Sequence, residues 1–273
     1  MADPLATLAD LVRRPSVNPM GRDVSGPEYL EGRITEYLVQ RFSAAGLTWA
    51  RQPVAPGRDN VLARLEATSP GAPTILWDAH QDTVPVEGMT IDPFQPLVRD
   101  GRLQGRGACD VKGGMAAMLV ALDRLAASGR PRPVTIVFAA TVNEEFGFSG
   151  ARALAALWSG VGAVRPGDGP ALDILSARPA AAIVAEPTGL DVVGQHKGAV
   201  RWRIHVSGRA CHSSFPERGD NAIYTAARVA LEIEALAAEL LRRLPDHPCG
   251  PPTLSLGTIR RSEEHTSELQ SRQ

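Results

Sequence analysis

Residues 74–82 read TILWDAHQD, an apolar run that ends on a histidine and, two positions later, an aspartate. A short apolar run bounded by turn residues suits a strand buried on both faces. Three other runs share this form: NVLARLEA (60–67), PVTIVFAAT (133–141) and AAIVAE (181–186). Between TILWDA and PVTIVFAAT lies KGGMAAMLVALDRLAASG (112–129), whose composition and length predict a helix. Buried strands alternating with helices predict an α/β sheet covered on both faces.

Outward from this centre, Leu5, Leu8 and Val12 mark one face of a short helix that RPSVNP must end, because proline cannot continue it. A second helix follows, with Tyr29-Leu30, Ile34, Tyr37-Leu38 and Phe42 at helical spacing. From about Asp191 the pattern changes. GAVRWRIHVSG alternates apolar and polar residues like a strand with one wet face, and NAIYTAARVALEIEALAAELLRRL reads as a long amphipathic helix. TLSLGTI is a further strand candidate, so a β-α-β unit of a second domain is expected here. The boundaries drawn are 1–189, 190–260 and a tail, 261–273.

Composition excludes several classes of function. Hydrophobic residues make up 44% and charged residues 22%, with a net charge of −1, so no global field favours nucleic acid or an anionic membrane. The opening MADPLATLAD has an early acid, no basic region and no long apolar run, which predicts no signal peptide or anchor and a cytoplasmic location. Cys109, Cys211 and Cys249 are widely spaced and form no Cys-x-x-Cys pair, so reduced thiols are expected.

Four places set ionisable groups past the apolar runs or beside a helix start: His80 with Asp82, Asp110 in GRGACDVKGG, Glu144-Glu145 after the third run, and Glu186 after the fourth. Ligands of open α/β sheets bind outside the carboxyl ends of the strands, so these groups can share one crevice. Singly, each has a plain alternative: a surface pair, a helix N-cap, solvated glutamates or a strand end. Their coincidence favours a metal site. A neutral imidazole at His80 can bind zinc while its other nitrogen donates to a carboxylate, for which Asp82 is placed. Asp110, Glu145 and Glu186 supply oxygen ligands, and one carboxylate can bridge two metals. If residues 144–145 are extended, their side chains point opposite ways, so one can ligate while the other acts as general base. Metal binding lowers the pKa of a water from about 15.7 to about 7.

Other motifs fail. GRGACD has Asp110 where the third glycine of a dinucleotide fingerprint belongs, and GFSGA ends in Ala151 instead of the glycine of a nucleophile elbow.

Taken in order, WDAHQDTVPV, DPFQPLVRDGRLQGRGACDVKGGMAAML, TVNEEFGFSGA, AEPTG and GRACHSSFPERGDNAI resemble the acetylornithine deacetylase, succinyl-diaminopimelate desuccinylase and carboxypeptidase G family of dizinc amidohydrolases and metallopeptidases. The likeness runs from about residue 5 to residue 260. It implies a zinc-exopeptidase-like catalytic domain with a mixed, mainly parallel sheet flanked by helices, and an inserted α+β lid used for dimerisation. By this resemblance His80 and Glu186 hold one zinc and Glu145 the other, with Asp110 bridging. Asp82 orients His80, Glu144 is the base, and His212 is the lid histidine that stabilises the oxyanion in a partner subunit's site. Cobalt or manganese can replace zinc in such sites. The implied reaction is hydrolysis of an amide in an N-acyl amino acid or small peptide with a free carboxylate. The alternative is a catalytically inactive fragment or a non-catalytic binding protein on the same fold.

The chain departs from the family after SLGTIR. RSEEHTSELQSRQ (261–273) contains no alanine, breaks the apolar periodicity and reads like a translated sequencing-library adapter. The expectation is a lid that is incomplete at its C-terminal side, a missing last metal ligand and one tight zinc site. An independent read of the DNA through codon 260 tests this. His265 in the tail is the rival for the last ligand.

Overall fold

The computed structural model describes residues 3–159, 166–243 and 248–260. The tail and His265 lie outside the described residues. By its internal contacts the chain divides into two compact units, Met1–Leu190 and Asp191–Gln273.

The first unit opens with helix α1 (Pro4–Val12). Asp3 caps it by accepting from the amides of Leu5 and Ala6 at 3.2 Å, with Pro4 in the first turn where its missing N–H costs nothing. The buried face of α1 is Thr7, Leu11 and Val12, whereas Leu5, expected inside, is 48% exposed. Helix α2 (Gly32–Ala44) buries Ile34, Leu38 and Phe42 at 3–4 spacing; Tyr29 and Leu30 precede it. Strands β1 (Thr48–Ala55), β2 (Arg58–Leu65) and β3 (Thr74–His80) follow, then a two-stranded ribbon of β4 (Leu97–Arg99) and β5 (Arg102–Gln104). A wide turn, Ala108–Lys112, leads into helix α3 (Gly113–Ala127). Strand β6 (Thr135–Thr141), helices α4 (Ser149–Ser159) and α5 (Gly169–Ile174) and strand β7 (Ala181–Val184) complete the unit.

The sheet has five strands in the order β1-β2-β6-β3-β7. β3 pairs in parallel with both β6 and β7, while β2 is antiparallel to β1 and β6. Four of the five strands therefore share one direction and β2 alone is reversed. All seven residues of β6 are buried, which its continuous apolar run demands of a central strand. One face of the sheet packs against α1, α2 and α3 through Leu11, Leu38, Phe42, Met115 and Phe138. The other packs against α4 and α5 through Leu62, Val137, Leu154, Leu157 and Ile174. Burial on both faces does not extend to β7, whose four residues are all exposed, with Ile183 at 53% and Val184 at 58%. Among the described residues it is an edge strand, paired with β3 alone.

In the second unit, helix α6 spans Ala222–Arg243 and has no buried residue. The strands expected in residues 198–208 and 253–259 are not formed; among the described residues this unit has only an isolated bridge, Arg209 to Asp220. Alternation gives a strand only where a neighbouring strand completes the ladder, and Val200, Trp202 and Ile204 stand 73%, 69% and 53% exposed. Among the described residues no helix is long and apolar enough to cross a membrane.

Candidate metal centre

Parallel register sets His80, the last residue of β3, opposite Thr141, the last residue of β6. The chain beyond β6 reaches Glu144 and Glu145 within four residues, and Glu186 lies two residues past the end of β7. Three neighbouring parallel strands thus deliver their C-terminal residues to one place. Asp110 comes from the wide turn before α3. That turn is pinned by the buried Lys112, whose Nζ donates to the carbonyls of Leu11 at 3.1 Å and Arg14 at 2.8 Å at the end of α1.

His80 is 3% exposed. Its Nδ1 lies 2.9 Å from the backbone carbonyl of Asp82, which can only accept, so Nδ1 carries the proton. The carboxylate of Asp82 stands farther off, at 3.6 Å. The expected carboxylate–histidine contact is therefore made mainly by the peptide carbonyl of the same residue. The Nε2 of His80 faces Asp110 Oδ1 at 3.0 Å. In neutral histidine both of those atoms are acceptors, and only a proton or a metal cation between them relieves the contact. Burial lowers the basicity of His80, but Asp110 and then Asp82 outweigh it and raise its pKa to about 11.

Ligand atoms of His80, Asp110 and Glu186 lie within 4.8 Å of one another, and so do those of His80, Glu144 and Glu145. Burial, then repulsion from Asp110, pushes the Glu145 carboxyl up to about 7. Burial also raises Glu186, with Asp110 and Glu144 adding repulsion. Such a concentration of carboxylates around one imidazole has the donor chemistry of a divalent metal site.

The premise that Glu144 and Glu145 lie on an extended segment does not hold. Both sit in a turn, and both approach His80. Asn143 adopts a left-handed conformation, φ +61°, and the carboxylate of Asp82 accepts from the amides of Glu144 at 3.0 Å and Glu145 at 3.1 Å, which wraps the chain. The two glutamates differ in another way: Glu145 Oε1 is held by the amide of Val84 at 3.1 Å. His212 lies in the second unit, exposed, where its Nδ1 accepts from the Ser214 amide at 3.1 Å.

Asn18, Glu31, Arg58 and Asn143 are buried or half-buried around Asp82 and were not legible as site residues. Asn18 lies in RPSVNP, where the prolines carry the visible signal. The segment around it pairs with Thr83, through Asn18 N–H to Thr83 O at 2.8 Å and Thr83 N–H to Ser16 O at 3.0 Å. Only that tertiary pairing brings it to Asp82.

Residues 76–254 match the family described as Peptidase family M20/M25/M40, and the chain belongs to that family. Among curated proteins it is 32% identical over 232 residues to an acetylornithine deacetylase from Myxococcus xanthus, covering 83% of this chain and 56% of the relative. The chain thus spans little more than half the length of that protein. A tripeptidase structure from Staphylococcus aureus shares the fold with a TM-score of 0.53 at 23% identity, covering 82% of this chain and 54% of the tripeptidase. An aminopeptidase from Bacillus cereus gives 0.49 at 24% identity, with coverage of 82% and 54%.

Proposed function

We infer that this chain carries most of the catalytic apparatus of a metal-dependent amidohydrolase. Its substrate is the amide of an N-acyl amino acid or small peptide that retains a free carboxylate. The observation that carries this reading is the gathering of carboxylates at His80: its ligand atoms lie within 4.8 Å of those of Asp110 and Glu186, and of those of Glu144 and Glu145, with Asp110 facing Nε2. The deacetylase relative supports the substrate class.

In this reading His80 and Glu186 would hold one metal and Glu145 the second, with Asp110 available to both. When bound, the metals supply Lewis acidity, polarising the scissile carbonyl and making water nucleophilic near neutral pH. The chain's own residues do the rest. The carbonyl of Asp82 fixes the His80 tautomer through Nδ1–H, directing Nε2 into the site. The Val84 amide anchors Glu145 as a ligand. Glu144, its neighbour on the turn, takes a proton from the attacking water and returns it to the leaving nitrogen. His212 is assigned to the oxyanion in a partner subunit of a homodimer formed through the second unit.

The test is a panel of N-acyl amino acids with the full-length enzyme. Glu144→Gln should lower kcat by about 10²–10⁴-fold with metal content unchanged. No hydrolysis of any panel member by the metal-loaded parent would contradict the reading.

A further inference from the structure

The Glu144–Glu145 turn is held from behind by a charge pair, Glu31 and Arg58, that engages Asn143. Glu31 is fully buried and the Arg58 side chain is 12% exposed; the guanidinium engages both carboxylate oxygens of Glu31, with Nε at 2.9 and 3.2 Å and Nη2 on Oε1. The remaining Nη1 donates to Asn143 Oδ1 at 2.9 Å. Glu31 Oε1 also accepts from the Asn143 amide at 3.2 Å. Asn18 closes the circuit, its Nδ2 donating to Asn143 Oδ1 at 2.9 Å and to Asp82 Oδ2 at 2.7 Å. Asp82 in turn receives the amides of Glu144 and Glu145. Asn143 Nδ2 donates to Ser149 Oγ at 2.9 Å, which ties the turn to the start of α4.

A buried ion pair is a poor source of stability, because desolvation offsets much of its attraction and an apolar pair of similar volume often does as well. Its geometric use is clearer. A planar guanidinium bound along its Nε–Nη2 edge has a fixed plane, so its remaining nitrogen, Nη1, fixes the position of Asn143 as well. Asn143 is the left-handed residue from which the turn starts, so its placement sets where both following carboxylates emerge.

We propose that Glu31 and Arg58, acting through Asn143, are positioning residues that hold the Glu144–Glu145 turn in its metal-binding and proton-transferring geometry. This rests on the metal-site reading above. The double variant Glu31→Met/Arg58→Met removes both charges together and leaves no buried charge unpaired. Asn143→Gly keeps access to the left-handed conformation and removes only the side-chain acceptor and donor.

The experiment measures zinc affinity by calorimetry, amide exchange at Glu144 and Glu145, and the melting temperature of the metal-free chain. Both variants should weaken zinc about tenfold or more and speed exchange at the two amides, with melting within a few degrees of the parent. If the double variant does not fold, Asn143→Gly decides alone. Parental zinc affinity together with parental exchange in folded variants overturns the proposal. If His80→Ala binds zinc as tightly as the parent, the metal-site reading fails instead; amide exchange then decides the positioning role by itself.

Discussion

His80 concentrates the chemistry because it is the imidazole on which both groups of converging carboxylates meet. Its Nε2 lies 3.0 Å from Asp110 Oδ1, so on the proposed reading a zinc held by His80 would have to displace a proton from between them. Glu145 adds a second proton below its raised pKa of about 7. The sign for stability follows: this glutamate, raised from 4.5, stabilises the metal-free fold fully below about 4.5 and ceases to do so as pH rises through about 7. Zinc binding runs the other way and strengthens as pH rises through that window. Calorimetry in buffers of different ionisation enthalpy should therefore record about one proton released per zinc near pH 8, from His80, and more near pH 6. Release that is the same at both pH values would contradict this assignment. At this scale the sequence exposed the candidate ligands, since His80, Asp110, Glu145 and Glu186 follow apolar runs or precede a helix, and the fold brings them together. It did not expose Asn18, Glu31, Arg58 or Asn143. A buried charge becomes recognisable only when its partner is known, and Glu31 meets Arg58 from 27 residues away.

Strands β2, β3, β6 and β7 and helix α3 all fall on runs visible in the sequence. Strand β1 (TWARQPVA) does not, because arginine, glutamine and proline break its apolar pattern. Buried Gln52 in β1 shows why it is nevertheless a strand. It accepts from Asn60 Nδ2 at 2.9 Å and donates to the carbonyl of Ala153 at 2.9 Å, an exchange with β2 and α4 that local pattern cannot reveal. Asn60 also accepts from Val142 N–H at 3.0 Å and donates to Gly150 O at 2.9 Å, locking α4 against the end of β6. A Cβ at Gly150 would overlap Val142 O and lie 2.5 Å from Val142 N and 2.6 Å from Asn60 Oδ1. Two of those atoms are backbone and cannot yield cheaply. Gly150→Ala should therefore cost about 1–3 kcal/mol, the usual scale of overpacking, read as a lower midpoint in urea. An unchanged midpoint would show that α4 can shift away from β6 freely.

Across the molecule, the two units differ in how far local sequence signals are realised. In the first, strand runs find neighbours and the apolar faces of α1 to α5 find the sheet. In the second, the amphipathic pattern of α6 is present but Ile223, Leu231, Leu236 and Leu241 are 53%, 64%, 43% and 46% exposed. Hydrophobic periodicity fixes which face a helix would bury, but it does not supply the surface that covers it. The functional reading therefore rests on the first unit, and its central claim is that His80 anchors a metal while Glu144 serves as base. Equilibrium dialysis with zinc, followed by elemental analysis of the chain and two variants, tests this most directly. The parent should retain about one zinc per chain, Glu144→Gln should retain as much, and His80→Ala should lose it. Zinc held by His80→Ala, or lost from Glu144→Gln, would contradict the account.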